Sequence, residues 1–249
     1  MHPNLIIEQK GRLLTVQFNR TPDNGVSDSM AAALSDAVLK AHETSDAVLL
    51  SSVGPDFCTG RVRDGGGPPA PEAYSRRPEY DSIFNCYKAL RSCQVPVIGL
   101  IEGRCMGFGT AIAALCDVSF ASDAATFNIP EIAHNVMPTM VMSALYDRMN
   151  RNAILWMSYS ADFISATQAQ NYGIVSNVAP AAELHAQVQR FCDILLSRPR
   201  PAILGLKEYL RVAPRMDEQG AIDYARSLHS MVNTAAEMKR KPQIGRAHV

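Results

Sequence analysis

The sequence predicts an α/β fold followed by a helical C-terminal module. Residues 47–53 and 95–101 are short apolar segments typical of buried strands, and residues 31–42 carry apolar side chains at helical spacing. Strands and helices that alternate in this way favour a parallel sheet with right-handed crossovers. Beyond Pro180 the pattern is helical to about Met238 and contains no strand. This change predicts a module that covers the core or joins subunits.

The first predicted elements are a hairpin and a helix. Residues 5–18 alternate loosely between apolar and polar side chains and are interrupted at Lys10-Gly11-Arg12, as in two strands joined by a tight turn. Residues 19–25 carry the Asn, Pro, Asp and Gly of a second turn, and Ser27 stands just before the predicted helix. The hairpin would form one edge of the sheet.

The middle of the chain contains a loop and its most apolar stretch. Residues 62–79 combine glycine, proline and charged side chains, which favours a mobile loop over an ordered helix and makes the segment a candidate lid. Residues 95–120 are strongly apolar, but Glu102 and Arg104 lie inside this stretch and Asp117 lies near its end. A core strand and a core helix therefore fit it better than a membrane span.

Glycine and proline mark the boundaries of the later helices. Gly173 fits the left-handed position that follows a helix. Pro199, Pro201 and Pro214 interrupt the C-terminal pattern, which predicts several helices rather than one long helix.

Composition argues against several classes of partner. The 249-residue chain carries 24 basic and 24 acidic residues, and its one short basic run is 239–241. This balance argues against nucleic acid and membrane partners and favours a small molecule or a protein. The six cysteines form no Cys-x-x-Cys pair and have no histidine at metal spacing, and the N-terminus lacks the pattern of a signal peptide. We therefore expect free thiols, no metal site and a cytoplasmic protein.

One long run of motifs is specific. An apolar strand leads into Gly103-Arg-Cys-Met-Gly-Phe-Gly109, a helix ends near Cys-Asp117, and Phe-Asn-Ile-Pro-Glu131 follows. This run resembles, without a gap, the core of the enoyl-CoA hydratase/isomerase (crotonase) family. Residues 161–178 resemble the closing signature of that family.

The resemblance implies both an architecture and a substrate class. It implies a crotonase-like core of (ββα) repeats that spiral over residues 1–196, with a CoA-thioester site. Residues 197–249 would be a helical region for trimerisation or cover. The substrate would be an acyl-CoA thioester, with coenzyme A as part of the substrate and no separately bound cofactor. The assembly would be a homotrimer or a hexamer.

An oxyanion hole is the first part of the implied site. Removing the proton next to a thioester carbonyl puts negative charge on its oxygen, and in this family two backbone N–H groups stabilise that charge. The resemblance assigns these groups to Arg61 and Phe108, where the family usually has a small residue and a glycine. Phe108 would narrow the acyl pocket, and Arg61 could contact a CoA phosphate. Thr59, Gly60 and Gly107 are expected to contact the substrate, although tight turns alone would also explain the glycines.

Glu131 is the implied catalytic base. It matches the second glutamate of the family, and an apolar pocket would raise its pKa toward neutrality. The alternative is a surface glutamate at the start of a helix after Pro130. Ala111 occupies the position of the first glutamate, which helps to activate water in hydratases. A methyl group cannot do this, so the resemblance favours the double-bond isomerases of the family.

Four further positions shortly follow Glu131 in the sequence. His134 is a candidate auxiliary acid or base on the same helical face, and the alternative is a partly exposed histidine at an interface. Asn135 replaces a glycine of the family and tolerates a left-handed backbone. Met137 and Pro138 are candidate walls of the acyl pocket, and core packing is the alternative.

These residues lead to one preferred function. The protein would convert a 3-enoyl-CoA into the 2-trans-enoyl-CoA, with Glu131 as the single base. Other acyl-CoA chemistry of the family, as in a hydratase, decarboxylase or thioesterase, is the main alternative. A catalytically silent acyl-CoA-binding protein is the third.

Overall fold

The computed structural model describes residues 2–64 and 71–239. Within them the strands are β1 (Leu5–Lys10), β2 (Leu13–Phe18), β3 (Ala47–Ser52), β4 (Val97–Ile101), β5 (Arg104–Met106), β6 (Val118–Ser122), β7 (Thr126–Asn128), β8 (Ile164–Ser165) and β9 (Asn177–Ala179). The α-helices are α1 (Asp28–Lys40), α2 (Asp81–Ser92), α3 (Phe108–Leu115), α4 (Thr139–Leu145), α5 (Arg151–Ser160), α6 (Ala166–Tyr172), α7 (Ala181–Leu196), α8 (Arg200–Val212) and α9 (Glu218–Thr234).

The predicted α/β core is confirmed as a main sheet with the strand order β1-β2-β3-β4-β6-β9. The N-terminal hairpin makes the antiparallel edge, and the other neighbours pair in parallel. Every residue of β4 is buried, as expected for a parallel strand that is covered on both faces. A second sheet, β5-β7-β8, was not foreseen, because its strands are two or three residues long.

Helix α3 lies in the centre of the apolar stretch 95–120, with β4 and β5 before it and β6 after it. All eight of its residues are buried inside the fold, so their apolar character is used for packing. In the described parts of the chain, no helix is both long enough and apolar enough to cross a membrane.

Helices α1 and α2 pack against each other beside the sheet. Helix α1 begins after Ser27, whose hydroxyl accepts a 3.2 Å hydrogen bond from the N–H of Met30. The loop predicted over 62–79 includes a 3₁₀ turn, Arg77–Tyr80, which leads directly into α2. The three glycines at the start of that segment, residues 65–67, lie outside the described residues.

The C-terminal helices are separated at the prolines, as the sequence predicts. Pro199 precedes α8, Pro201 lies in its first turn, and Pro214 lies in the 3₁₀ turn Ala213–Arg215 that follows it. Gly173 follows α6 with φ of +87°, which confirms the predicted left-handed position.

Two ion pairs join α8 to the core. The guanidinium of Arg200 pairs with buried Asp46, which also pairs with Arg12 at 2.7 Å. The Lys207 ammonium lies 2.6 Å from the Asp117 carboxylate.

Candidate active site

Two turns of the chain lie side by side and carry the proposed oxyanion donors. Cys58 and Cys105 form a parallel β-bridge. The N–H of Cys58 donates to the backbone carbonyl of Arg104 at 3.2 Å, and the N–H of Met106 donates to the backbone carbonyl of Cys58 at 2.9 Å. A Cβ atom at Gly109 would lie 2.3 Å from the carbonyl oxygen of Cys58, so this close approach requires glycine. Arg61 and Phe108 each follow their bridged cysteine by three residues.

The N–H of Phe108 is one of the open donors at the start of α3. Phe108 is the first residue of that helix, and Gly107 precedes it with φ of +50°. The first N–H groups of a helix have no acceptor within the helix. The N–H of Gly107 itself donates to Asn128 at 3.1 Å, whereas the N–H of Phe108 has no protein acceptor among the described residues. It therefore fits the predicted role of an oxyanion donor, at the positive end of the helix.

The N–H of Arg61 is open for a different reason. Val26 accepts from the N–H of Val62 at 2.9 Å and donates to the carbonyl of Gly60 at 2.8 Å. Because adjacent groups along an extended chain alternate in direction, the N–H of Arg61 points away from Val26. It has no acceptor within the described parts of the chain.

The side chain of Arg61 is already paired. Its Nε and Nη2 donate to the two carboxylate oxygens of Asp28 at 2.9 and 2.8 Å, and Nη2 also donates to the carbonyl of Glu79 at 2.9 Å. The guanidinium lies 5.8 Å from the centre of the Tyr80 ring. The predicted contact with a CoA phosphate would have to compete with this ion pair.

Thr59 fixes the turn rather than presenting a free hydroxyl. Its N–H and its hydroxyl both donate to the carbonyl of Asp23, at 3.1 and 3.0 Å. Gly60 follows with φ of +121°, a conformation that side chains rarely adopt. Thr59 and Gly60 thus shape the backbone that presents the N–H of Arg61.

The carboxylate of Glu131 lies against the second turn. Its Oε1 is 2.6 Å from where a Cβ atom of Gly107 would be. Its Oε2 is buried and has no hydrogen-bond partner in the described residues. Burial raises the pKa of Glu131 above its ordinary value of 4.5, and the charge of His134 acts in the opposite direction. Glu131 is therefore half-buried beside the oxyanion turn and does not resemble a surface cap.

Ala111 is the fourth residue of α3 and is fully buried. It follows Gly107 by four residues, so the two positions lie on the same side of the helix. The structure therefore presents only a methyl group at the position where the resemblance predicts a second carboxylate in hydratases.

The residues after Glu131 have different environments. Glu131 and His134 are the ends of one 3₁₀ turn and lie on the same face, and His134 is exposed. Asn135 has φ of +58°, which confirms its left-handed position. Pro138 is buried, but 73% of the surface of Met137 is exposed in the single chain. Core packing is therefore wrong for Met137.

Tyr87 is a site residue that the sequence analysis missed. It lies on the buried face of α2, and its ring stacks on the ring of Phe108 with 5.5 Å between centres. The apolar side chains of α2 recur at helical spacing. That spacing could have identified the helix, but only the fold shows its contact with the oxyanion turn.

The cysteine thiols near the site are poor nucleophiles. All six are free and buried, and burial raises the pKa of the Cys58 thiol to about 12. A thiol with such a pKa holds almost no nucleophilic thiolate at neutral pH. The described residues also contain no cluster of three or more His, Cys, Asp or Glu side chains that could hold a metal ion.

Known proteins share both this sequence pattern and this fold. The human mitochondrial enoyl-CoA hydratase domain-containing protein 3 is 27% identical over 244 residues, which cover 91% of this chain and 78% of that protein. The fold is similar to that of an enoyl-CoA hydratase from Mycobacterium smegmatis, with a TM-score of 0.87, 24% identity and coverage of 94% and 93% of the two chains. It is also similar to a putative enoyl-CoA hydratase from Thermobifida fusca in complex with CoA, with a TM-score of 0.82, 23% identity and 92% coverage of each chain.

A family model also matches the chain. Residues 8–245 match the model of the enoyl-CoA hydratase/isomerase family. The match spans almost the whole chain, and the fold agrees with the crotonase-like architecture that the motifs imply. The chain belongs to the enoyl-CoA hydratase/isomerase family.

Proposed function

We propose that the protein is an enoyl-CoA isomerase that moves a double bond from C3 to C2 of an acyl-CoA thioester. The observation that carries this proposal is the position of Glu131, whose carboxylate lies beside Gly107 at the oxyanion turn with one oxygen buried and unpaired. A carboxylate with a raised pKa and one unpaired oxygen can exchange a proton with a substrate.

The mechanism needs one base and one oxyanion hole. Glu131 removes a proton from C2 of a 3-enoyl-CoA, and the negative charge moves to the thioester oxygen. The N–H groups of Arg61 and Phe108 stabilise that oxygen. Such a donor typically contributes about 2.7–4 kcal/mol in the transition state. Glu131 then returns the proton at C4, which gives the 2-trans-enoyl-CoA, so no water is consumed.

Hydration is the second candidate, since the three relatives reported above are named as hydratases or for a hydratase domain. A hydratase must orient and activate a water molecule, and the methyl group of Ala111 cannot do so. Decarboxylation, thioester hydrolysis and silent acyl-CoA binding are further alternatives. Proton exchange at C2 that depends on Glu131 would exclude silent binding.

The proposal includes the substrate carrier and the assembly. Family membership and the CoA complex of the Thermobifida relative support an acyl-CoA substrate. A homotrimer or hexamer, with residues 197–249 as its interface or cover, would bury the apolar side chains that are exposed on the C-terminal helices. Leu206, Leu210 and Met231 are each about two-thirds or more exposed in the single chain. The cytoplasm is the proposed location, which six free thiols suit.

The test is deuterium uptake from D₂O at C2 of saturated and 3-enoyl-CoA thioesters, followed by mass spectrometry. We expect uptake with the wild type, formation of the 2-enoyl product, and at least ~100-fold slower turnover with Glu131→Gln. Glu43→Gln is the matched control, because Glu43 lies in a 3₁₀ turn but is exposed. Unchanged turnover in Glu131→Gln would remove this residue from the mechanism.

A further inference from the structure

The phenol of Tyr87 has no hydrogen-bond partner among the described residues. Tyr87 lies on α2 and only 3% of its surface is exposed. Its ring is enclosed with the apolar side chains of the core. Within the described residues its hydroxyl forms no hydrogen bond. The hydroxyl oxygen is not among the completely enclosed polar atoms that lack a partner, so it keeps accessible surface and is free to donate its proton to a bound acceptor.

The position of Tyr87 connects this hydroxyl with the acyl site. Its ring is nearly parallel to that of Phe108, with an angle of 24° and 5.5 Å between the ring centres. Phe108 supplies one of the proposed oxyanion donors, so Tyr87 packs against the residue that carries this donor. Its phenol also interacts electrostatically with Glu131 and Arg61, which belong to the same site.

The phenol is suited to donate rather than to accept. Burial, reinforced by the neighbouring Cys86 and Glu131, raises the pKa of Tyr87 well above its ordinary value of 10.0. The hydroxyl therefore keeps its proton throughout the physiological pH range. A ligand that pairs with it must offer an oxygen or another acceptor.

The surrounding charges indicate which acceptor fits. Arg61, the cation near the phenol, is neutralised by its two hydrogen bonds to Asp28. Glu131 would repel a carboxylate on the acyl chain, because its own carboxylate is half-buried in the same site. A carboxylate on the acyl chain would therefore find its nearby cation already neutralised and would be repelled by Glu131. An uncharged oxygen, such as that of a ketone or a hydroxyl group, needs no cation and is not repelled.

We propose that Tyr87 is a specificity-determining residue, whose hydroxyl donates a hydrogen bond to an uncharged oxygen on the acyl group. The preferred substrates are then oxo- or hydroxyacyl-CoA thioesters rather than plain hydrocarbon ones. This inference rests on the proposed acyl-CoA site, and it adds the chemical class of the acyl group.

The test measures binding and does not depend on turnover. Calorimetry would give the dissociation constants of hexanoyl-CoA and of its 4-oxo, 5-oxo and 6-hydroxy derivatives for the wild type and for Tyr87→Phe. Phenylalanine keeps the ring that stacks on Phe108 and removes only the hydroxyl. Tyr159→Phe is the control, because Tyr159 is 72% exposed.

We expect the wild type to bind at least one oxygenated thioester about threefold to tenfold more tightly than hexanoyl-CoA, as one neutral hydrogen bond would give. That ratio should fall to about one in Tyr87→Phe and persist in Tyr159→Phe. A wild type that binds all four thioesters equally would overturn the inference and leave the acyl-CoA site standing. The inference would also be overturned, with the acyl-CoA site left standing, if Tyr87→Phe keeps the preference or weakens the binding of every thioester equally. A wild type that binds none of them would overturn the proposed function as well.

Discussion

Asp28 and Arg61 form an ion pair with two hydrogen bonds, of 2.9 and 2.8 Å, beside the turn that Thr59 and Gly60 shape. Asp28 also accepts a 2.8 Å hydrogen bond from the hydroxyl of Ser82, and Arg61 donates to the carbonyl of Glu79. Asp28 therefore joins the start of α1, the turn at Arg61 and the start of α2. These contacts lower the pKa of the Asp28 carboxyl, although burial acts in the opposite direction. Arg61 thus has a positioning role through its side chain in addition to the proposed role of its N–H.

Asp28→Asn should slow the Glu131-dependent reaction. The substitution keeps the size of the side chain but leaves the guanidinium without its counter-charge, and hydrogen bonds to charged groups contribute about 1.5–3 kcal/mol. We expect kcat to fall about tenfold or more while KM changes less, because the N–H of Arg61 acts mainly on the enolate. Steady-state kinetics would measure both constants. Asp36→Asn on the outer face of the same helix is the control, and equal effects in the two variants would contradict a local role.

Gly107→Ala should displace the base. The new methyl group would lie 2.6 Å from Oε1 of Glu131, and alanine is strained at φ of +50°. We expect turnover to fall roughly 100-fold, as for a misplaced catalytic group. Gly11→Ala separates the two causes, because Gly11 has φ of +57° and nothing within 4 Å of its added Cβ. Similar losses of turnover in both variants would mean that the contact with Glu131 is unimportant.

The reaction rate should rise with pH on its acid limb. Glu131 must be deprotonated to remove a proton, and burial raises its pKa above 4.5. We therefore expect the acid limb of kcat/KM to have its midpoint above 4.5, and a pH–rate profile with a 3-enoyl-CoA would locate it. A midpoint at or below 4.5 would contradict a desolvated base.

The same shift predicts a cost in stability at neutral pH. Because the folded state binds the proton of Glu131 more tightly than the unfolded state does, the stabilising contribution is present below the unfolded pKa and is lost as pH rises through the folded pKa. Glu131→Gln should therefore raise the thermal midpoint at pH 7 and have less effect near pH 4. Thermal unfolding at both pH values checks this, and a destabilised variant at pH 7 would contradict it.

Ala111→Glu should raise the rate of water addition to crotonyl-CoA. It restores a carboxylate at the position that the resemblance implies for water activation. That position lies on the same side of α3 as Gly107. Ala111 is completely buried, so the variant should also unfold at a lower temperature. Absorbance of the enoyl thioester would follow hydration, with Ala111→Gln as the uncharged control. If a folded Ala111→Glu variant gains no hydration, the missing carboxylate is not what prevents it.

The sequence predicted most of the core and singled out Glu131 as a candidate base, but it did not predict the contacts between distant segments. The hairpin, α1 and the position of Glu131 beside Gly107 depend on local patterns or on one continuous motif run. Helix α2 was not predicted, because the Gly- and Pro-rich residues before it are typical of a loop. The partner of Arg61 could not be foreseen, since Asp28 precedes it by 33 residues and no pattern in a single chain links the two. The exposure of Met137 likewise depends on how α4 packs.

The bridge between Cys58 and Cys105 has a consequence for folding. Neither turn would form the proposed oxyanion hole by itself, because each carries one proposed donor and the two meet only when β5 pairs beside Cys58. A nascent chain that ends before Met106 therefore lacks the proposed hole. The return of enolate chemistry during refolding would therefore show when these two segments pair. It would report this pairing independently of the rate at which either segment becomes ordered.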